Sequence, residues 1–472
     1  MLYFWLALVI SAVFTSTLLI LLAIVRRRLR YPEKSFKHSA INVLLTPLRH
    51  FKVKPFETGE LTLENMLKWA MRRAKCTDFG DDNMNFVRNY NAIMESPLQQ
   101  TQVYTNIGYI SAKMEMTMTF ARRLKLVEYF KNHPDIDTIS IPKPVFVMGL
   151  PRSGTTFLHR LLSLDSKRVR APLLWELLNP VPKVPITSSR EVMDKDRESR
   201  AKFTRKLVAT RKSLGDKALE HIHEIGADLP EECLMALTDE LPISLQLLYS
   251  SYMQPHYYDN KIIDNAPAYM WYRKYLRLLS AQIGESKAPR SYMLKCPFHL
   301  FNVKEIKHAF PDATLIWTHR HPISAVPSLC SLLKAFHQLY YEKEGCDERQ
   351  LGRTVKEISE KHLFECQKDI DATKLNCIHT IYNEIIADPI KLIKSIYSKC
   401  GWEFTSEYEA KLNEYLEENK RERDAMKKKK GNGRGAVLHS YSPEEFGLTE
   451  EQLSSGRFAE YCTRYSVPMS KN

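Results

Sequence analysis

Lys143-Pro-Val-Phe-Val-Met-Gly149-Leu-Pro-Arg152-Ser153-Gly154-Thr155-Thr156-Phe157 is the stretch whose reading decides the fold. Its first half is a short apolar, β-branched run with prolines before and a glycine after, the pattern of a strand buried on both faces. Residues 155–164 then follow a helical pattern. Between strand and helix, Gly149 and Gly154 let the backbone bend around an anion, so that successive N–H groups and the helix N-terminus point at it. Ser153, Thr155 and Thr156 add hydroxyl donors, and Arg152 adds a permanent planar charge. An ordinary strand-to-helix turn needs neither the arginine nor three hydroxyls. Nucleotide triphosphatases have lysine where this loop has threonine, and no strand-end aspartate for magnesium is evident. Both absences tell against an ATP or GTP hydrolase. Transfer of a singly charged group needs less charge neutralisation than transfer of a γ-phosphate, so no metal is expected.

Working outward, further strands are expected at residues 291–294, 314–318 and 377–382, with helices at 301–310 and 389–400. Strands alternating with helices predict an α/β fold: a three-layer, phosphate-loop-type core with a mainly parallel sheet and right-handed crossovers. The expected core spans residues 141–405, with a charged helical insertion near 190–285. Residues 26–140 form a basic segment and helical accessory layer, with helices at 61–75, 83–94 and 112–132. Residues 406–472 carry a charged helix that closes in Lys427-Lys-Lys-Lys430, then the loop Gly431-Asn-Gly-Arg-Gly435. Lysines at a helix C-terminus complement its dipole, and the glycine-arginine loop is a candidate flap over an anion.

Two more motifs belong with the loop. Thr318-His-Arg320-His-Pro322 ends a strand, and Ser328 stands eight positions beyond Arg320. Guanidinium and hydroxyl together suit a phosphate dianion. Tyr382-Asn-Glu-Ile-Ile-Ala-Asp388-Pro389 follows another strand. The set resembles sulfotransferases that use 3′-phosphoadenosine 5′-phosphosulfate (PAPS): a 5′-phosphosulfate loop, a 3′-phosphate motif and a tyrosine that touches adenine. Phe157 stands where a family aromatic packs on the base, a core role being equally open. Thr77-Asp-Phe-Gly80, Arg170-Ala-Pro-Leu-Leu-Trp-Glu176, Pro230-Glu-Glu-Cys233, Leu294-Lys-Cys-Pro-Phe-His299 and Ser440-Tyr-Ser442 with Phe446-Gly-Leu448 resemble the branch common in bacteria. The resemblance implies sulfonate transfer from PAPS to a hydroxyl or amine of a small-molecule, lipid or glycan acceptor. It implies donor contacts by Arg152, Ser153, Gly154, Thr155, Thr156, Phe157, Arg320, Ser328 and Tyr382.

Such transfer needs a base for the acceptor and cations around the departing phosphate. Arg152 is the first cation by its place in the loop. Lys295 ends a strand on the carboxyl edge of the sheet, where α/β ligands bind, and is a second candidate. Glu176 is the expected base, because related membrane-bound sulfotransferases place a catalytic glutamate after the first crossover helix. Trp175 and its leucine neighbours would exclude water there. His223, beside Glu224, is the runner-up; His299 and His321 lie too close to the nucleotide motifs. A nucleotide kinase is the enzymatic rival and lacks its lysine and its magnesium carboxylate. A nucleotide-binding scaffold without catalysis is the other rival.

Residues 2–25 are apolar and uncharged, long enough for a helix to span a hydrocarbon core, and Arg26-Arg27-Arg28-Leu29-Arg30 follows. This reads as a retained single-pass anchor rather than a cleaved leader. The cationic block after it and the lack of any Asn-x-Ser/Thr sequon favour a cytosolic body, with a Golgi or ER lumenal body, as in many relatives, the alternative. The formal net charge of +14 suits membrane headgroups or polyphosphate ligands. No zinc-finger spacing or basic-heptad pattern accompanies it, so no nucleic-acid partner is expected. Nine cysteines without a C-x-x-C pair read as free thiols. Nothing in the sequence bears on oligomeric state.

Overall fold

The computed structural model describes residues 2–30, 36–53, 61–80, 85–91, 104–214, 225–243, 264–284, 290–342, 347–429 and 442–469. Ahead of the sheet lie helices α1 (Leu2–Arg30), α2 (Phe36–His50), α3 (Leu63–Ala74) and α4 (Asn106–Asn132), and residues 85–91 are also helical. Strand β1 (Val145–Gly149) leads into α5 (Thr155–Ser163). Then come β2 (Val169–Arg170), α6 (Leu174–Leu178), α7 (Arg190–Leu214), α8 (Leu234–Leu237) and α9 (Ala266–Ala281). The chain continues through β3 (Ser291–Lys295), α10 (Val303–Ala309), β4 (Thr314–His319), α11 (Pro322–Tyr340), α12 (Glu348–Thr373) and β5 (Asn376–Ile381). It closes with α13 (Tyr382–Ala387), α14 (Pro389–Cys400), α15 (Ser406–Lys429), α16 (Glu450–Ser454) and α17 (Gly456–Arg464).

The five strands pair in the order β2-β3-β1-β4-β5, each pair parallel. The first strand is therefore central, and the chain turns to opposite sides of it. That switch point opens a crevice at the carboxyl edge. Alternation along the strands sorts the core into two faces. Phe146, Met148, Leu294, Leu315 and Trp317 pack with α9, α10, α11 and α12. Val145, Val147, Met293 and Ile316 pack with α5, α14 and α15. Helices on both faces are what an all-parallel sheet requires. Four of the strands lie within a residue or two of where the sequence places them. The two-residue β2 was not expected, and it carries too little sequence to show a period.

The helical layer ahead of β1 has its own core, built on Met66, Phe86, Phe120 and Leu124. Helix α3 starts on Thr62, whose hydroxyl accepts from the Asn65 amide at 3.3 Å. The layer is fastened to the body at the start of α4. There the Thr105 amide donates to the Tyr340 carbonyl at 2.9 Å. Gly108 permits this approach, because a Cβ would fall 2.1 Å from the same oxygen. Buried ion pairs Arg122–Asp239, at 2.6 Å, and Arg123–Glu240 fasten the far end.

The expected single-pass anchor is corrected. Among the described residues, no helix is long and apolar enough to cross a membrane. The apolar run belongs to α1, a helix that continues without a break through Arg26, Arg27, Arg28 and Arg30. Its end is held against the body by the pair Arg27–Glu342 at 2.7 Å and by burial of Ile24. The assignments of the body to the cytosol or to an organelle lumen rested on that anchor and fall with it. Among the described residues every cysteine is free.

Candidate functional site

The site grows from the turn between β1 and α5. Gly149 lies where β1 meets β4, and a Cβ there would sit 2.3 Å from the Thr318 hydroxyl and 2.6 Å from that of Ser153. Only glycine allows that approach. Ser153 is fully buried; its hydroxyl donates to the Leu150 carbonyl at 2.6 Å and meets the Thr318 hydroxyl at 2.7 Å. Expected as a ligand donor, Ser153 thus braces the loop onto β4. Gly154 caps α5 at φ 86°, a left-handed conformation that favours glycine. The unpaired amides of the first helical turn open toward the crevice.

Arg152 is exposed and also left-handed, at φ 72°. For a residue with a Cβ that conformation costs about 1–2 kcal/mol. Two contacts hold it. The Arg320 guanidinium donates to the Arg152 carbonyl at 2.7 Å, and the Arg152 Nε donates to the Ser328 hydroxyl at 3.2 Å. Arg320 also lies over the Tyr382 ring, 4.2 Å from its centroid. Tyr382 in turn flanks the loop, since a Cβ on Gly154 would lie 3.1 Å from its ring. The structure therefore brings Arg152, Arg320, Ser328 and Tyr382 together, although they span the chain from β1 to α13. Thr155 is buried, and Thr156 and Phe157 are half-buried on the first turn of α5. Asp388, which closes the tyrosine motif, caps α14 by accepting from the Lys391 amide at 3.0 Å.

Lys295 ends β3 next to this loop and is 1% exposed. Its ammonium donates to the Thr156 hydroxyl at 3.2 Å and pairs with Glu232 at 2.5 Å. Glu232 was singled out only as part of a family stretch. Its position follows from backbone pairing: the Cys233 amide donates to the Lys295 carbonyl at 3.0 Å, and the Glu231 amide to the Pro172 carbonyl at 3.1 Å. Residues 230–233 are thereby laid along the end of β3, which carries one carboxylate to the lysine. An acidic pair at the end of Leu229-Pro230 was the available signal, without a spacing rule to connect it to Lys295 across 63 residues.

Glu176 is differently employed. It is buried on α6, and one carboxylate oxygen accepts from Arg170 at 2.6 Å. The other accepts from the Leu173 amide at 2.9 Å, which caps the helix it belongs to. Arg170 also donates to the Tyr292 hydroxyl at 3.0 Å. Both oxygens thus serve contacts within the segment from β2 to α6. His223 lies outside the described residues. His321 is the N-cap of α11, its Nδ1 facing the Ile323 amide at 3.2 Å. His299 is buried with Nδ1 2.7 Å from the Tyr269 hydroxyl. Burial, then the nearby Lys295 charge, pushes His299 down to about 3. His159, on the inner face of α5 with Nε2 3.0 Å from the Met293 carbonyl, is also held at about 3 by the same causes. Both are neutral structural residues at physiological pH.

A parallel sheet with a glycine-bounded, arginine-bearing turn at its switch point and a lysine–glutamate pair beside it is the frame of a group-transfer enzyme. The sulfotransferase family model matches residues 144–406, more than half of the chain, and the chain belongs to that family. Omega-hydroxy-beta-dihydromenaquinone-9 sulfotransferase Stf3 of Mycobacterium tuberculosis is 23% identical over 337 residues, covering 70% of this chain and 79% of its own length. The Mycobacterium bovis protein of the same name matches equally. Among solved structures, sulfotransferase STF9 from Mycobacterium avium superposes with a TM-score of 0.69 at 25% identity, covering 86% of this chain and 97% of its own. Sulfotransferase STF1 from M. tuberculosis shares the fold, with a TM-score of 0.65 at 23% identity over 84% of this chain and 98% of its own. These bacterial relatives agree with the branch indicated by the motifs.

Proposed function

We propose that this enzyme transfers the sulfonate of PAPS to a hydroxyl on a lipidic acceptor. The observation that carries the reading is the meeting of Lys295, Thr156 and Glu232 at the end of β3, beside the Arg152 loop. That edge offers cations for a departing phosphate and a carboxylate for an incoming hydroxyl. The family resemblance and the menaquinone-derived substrate in the relatives' name support the donor and the acceptor class respectively.

Bound PAPS would supply a sulfonate joined to phosphate through one bridging oxygen. The acceptor oxygen bonds to sulfur, the bond from sulfur to the bridging oxygen breaks, and adenosine 3′,5′-bisphosphate leaves. The first-turn amides of α5, with Arg152 and Thr155, hold the 5′ phosphate end. Thr156 positions Lys295, whose third N–H faces the charge that develops as the bridging bond breaks. Arg320 and Ser328 take the 3′ phosphate, and Tyr382 and Phe157 take the base. Ser153 and Gly154 shape the loop. Glu232 accepts the hydroxyl proton, and its pairing with Lys295 orients it for that task. Glu176, the base expected from family position, is assigned instead to holding β2, α6 and Arg170 together.

Incubation of the purified enzyme with PAPS labelled in the sulfonate and a hydroxylated polyprenyl quinol tests this. Label in the lipid, with release of the bisphosphate, is the expected result. Bisphosphate binding without transfer to any hydroxyl would overturn it.

A further inference from the structure

Helix α15 lies beyond the region of the family match, which ends at residue 406. It packs along α5 through one stripe of side chains. Tyr408 and Leu412 are buried, and Tyr415, Leu416 and Asn419 are half-buried. The Tyr408 hydroxyl donates to the Leu161 carbonyl at 2.9 Å, near the C-terminal end of α5. Ion pairs Lys167–Glu407 and Lys394–Glu409, the latter at 2.6 Å, fix the same end. Further along, Tyr415 reaches Phe157 with ring centroids 6.5 Å apart, and the Arg423 guanidinium lies 5.8 Å from the centre of the Phe157 ring. Contacts therefore move from Leu161 back to Phe157 as α15 advances. The two helices run in opposite senses, and the later half of α15 reaches Phe157, two residues into α5. At a rise of about 1.5 Å per residue, the path from Tyr408 to Arg423 is roughly 22 Å, far more than the four residues of α5 it passes. The later half of the helix therefore extends beside Phe157, on the first turn of α5. Its sequence continues into Lys427, Lys428 and Lys429.

We propose that Arg423 is a donor-binding residue, closing with Phe157 on the purine end of the nucleotide. The inference rests on the donor site proposed above. A guanidinium is planar, permanently charged and weakly hydrated, so it stacks on aromatic faces, and its N–H fork pairs with acceptor edges. Phe157 holds it within reach of a base seated between Phe157 and Tyr382. An arginine on the outer turns of α7 has no such aromatic beside a phosphate loop.

The test is calorimetric titration of the full-length enzyme with adenosine 3′,5′-bisphosphate and with pyrophosphate, which lacks the base. Arg423→Ala should weaken the bisphosphate by about tenfold and Arg423→Glu by more, while pyrophosphate affinity changes less than about threefold in Arg423→Ala. Arg421→Glu is the control: Arg421 is exposed and pairs with Glu417 at 3.1 Å on the same helix. It should bind the bisphosphate within about twofold of wild type. Equal affinity in wild type and Arg423→Glu, at unchanged melting temperature, overturns the assignment. Equal losses for both ligands in Arg423→Ala would overturn the contact with the base. Failure of the wild type to bind the bisphosphate defeats the donor site itself and is told apart by that first titration.

Discussion

The turn from β1 into α5 and the turn from β2 into α6 both join a strand to a helix on the same edge of the sheet, and each carries an arginine close to the strand end. In the first, the polar groups that stabilise the turn come from elsewhere: Thr318 braces Ser153, and Arg320 braces the carbonyl of Arg152. The Arg152 side chain in turn reaches the Ser328 hydroxyl on α11. In the second, Arg170 and Glu176 satisfy each other, and Glu176 caps its own helix. On the function proposed above, a charged residue near a strand end is placed for a ligand when distant residues support its turn, and serves the fold when its turn consumes it. Glu232 is likewise oriented from elsewhere in the chain, by Lys295 at the end of β3.

Substitutions that exchange these two kinds of residue should separate rate from stability. Arg152→Ala removes the loop cation and should lower kcat/KM by about 10³, at nearly unchanged melting temperature, as read from initial rates and calorimetry. Glu232→Gln should lower kcat by about 10² or more, with bisphosphate affinity retained. Glu176→Gln breaks a buried pair and should destabilise the fold by about 3 kcal/mol in urea unfolding, while kcat at low temperature stays within about threefold. If Glu176→Gln instead abolishes turnover in a normally stable protein, the comparison is reversed and Glu176 regains the base.

A smaller effect concerns pH. His159 and His299 titrate at about 3 in the folded protein, against 6.5 for a free imidazole. Between these values the unfolded chain binds more protons, so stability rises with pH. It is fully present above 6.5 and is lost as pH falls below that value. At pH 5 each histidine should cost roughly 2 kcal/mol relative to neutral pH. Unfolding of His299→Asn should accordingly show a shallower fall between pH 7 and pH 5 than unfolding of the wild type. Equal slopes would mean that His299 is charged in the fold.

The sequence made the donor half legible because its signals are local. A glycine-bounded loop after an apolar strand, or an arginine with a serine eight positions on, declares its geometry within one turn of chain. Four strands were readable for the same reason. The contact of Glu232 with Lys295 is not legible in the sequence, because the two lie 63 residues apart and meet through pairings such as that of Cys233 with Lys295. Glu176 reads as a base from family position, and the contact with Arg170 that employs its carboxylate becomes visible only in the fold. The expected anchor over residues 2–25 rests on a local reading of length, hydropathy and flanking charge. The contact of Arg27 with Glu342, 315 residues away, has no trace in a local window.

The most direct test of the account is transfer of labelled sulfonate from PAPS to a hydroxylated lipid by wild type and Glu232→Gln, measured beside bisphosphate binding for both. The account predicts labelled lipid from the wild type, almost none from the variant, and equal binding of the bisphosphate. Transfer by the variant at the wild-type rate would contradict it.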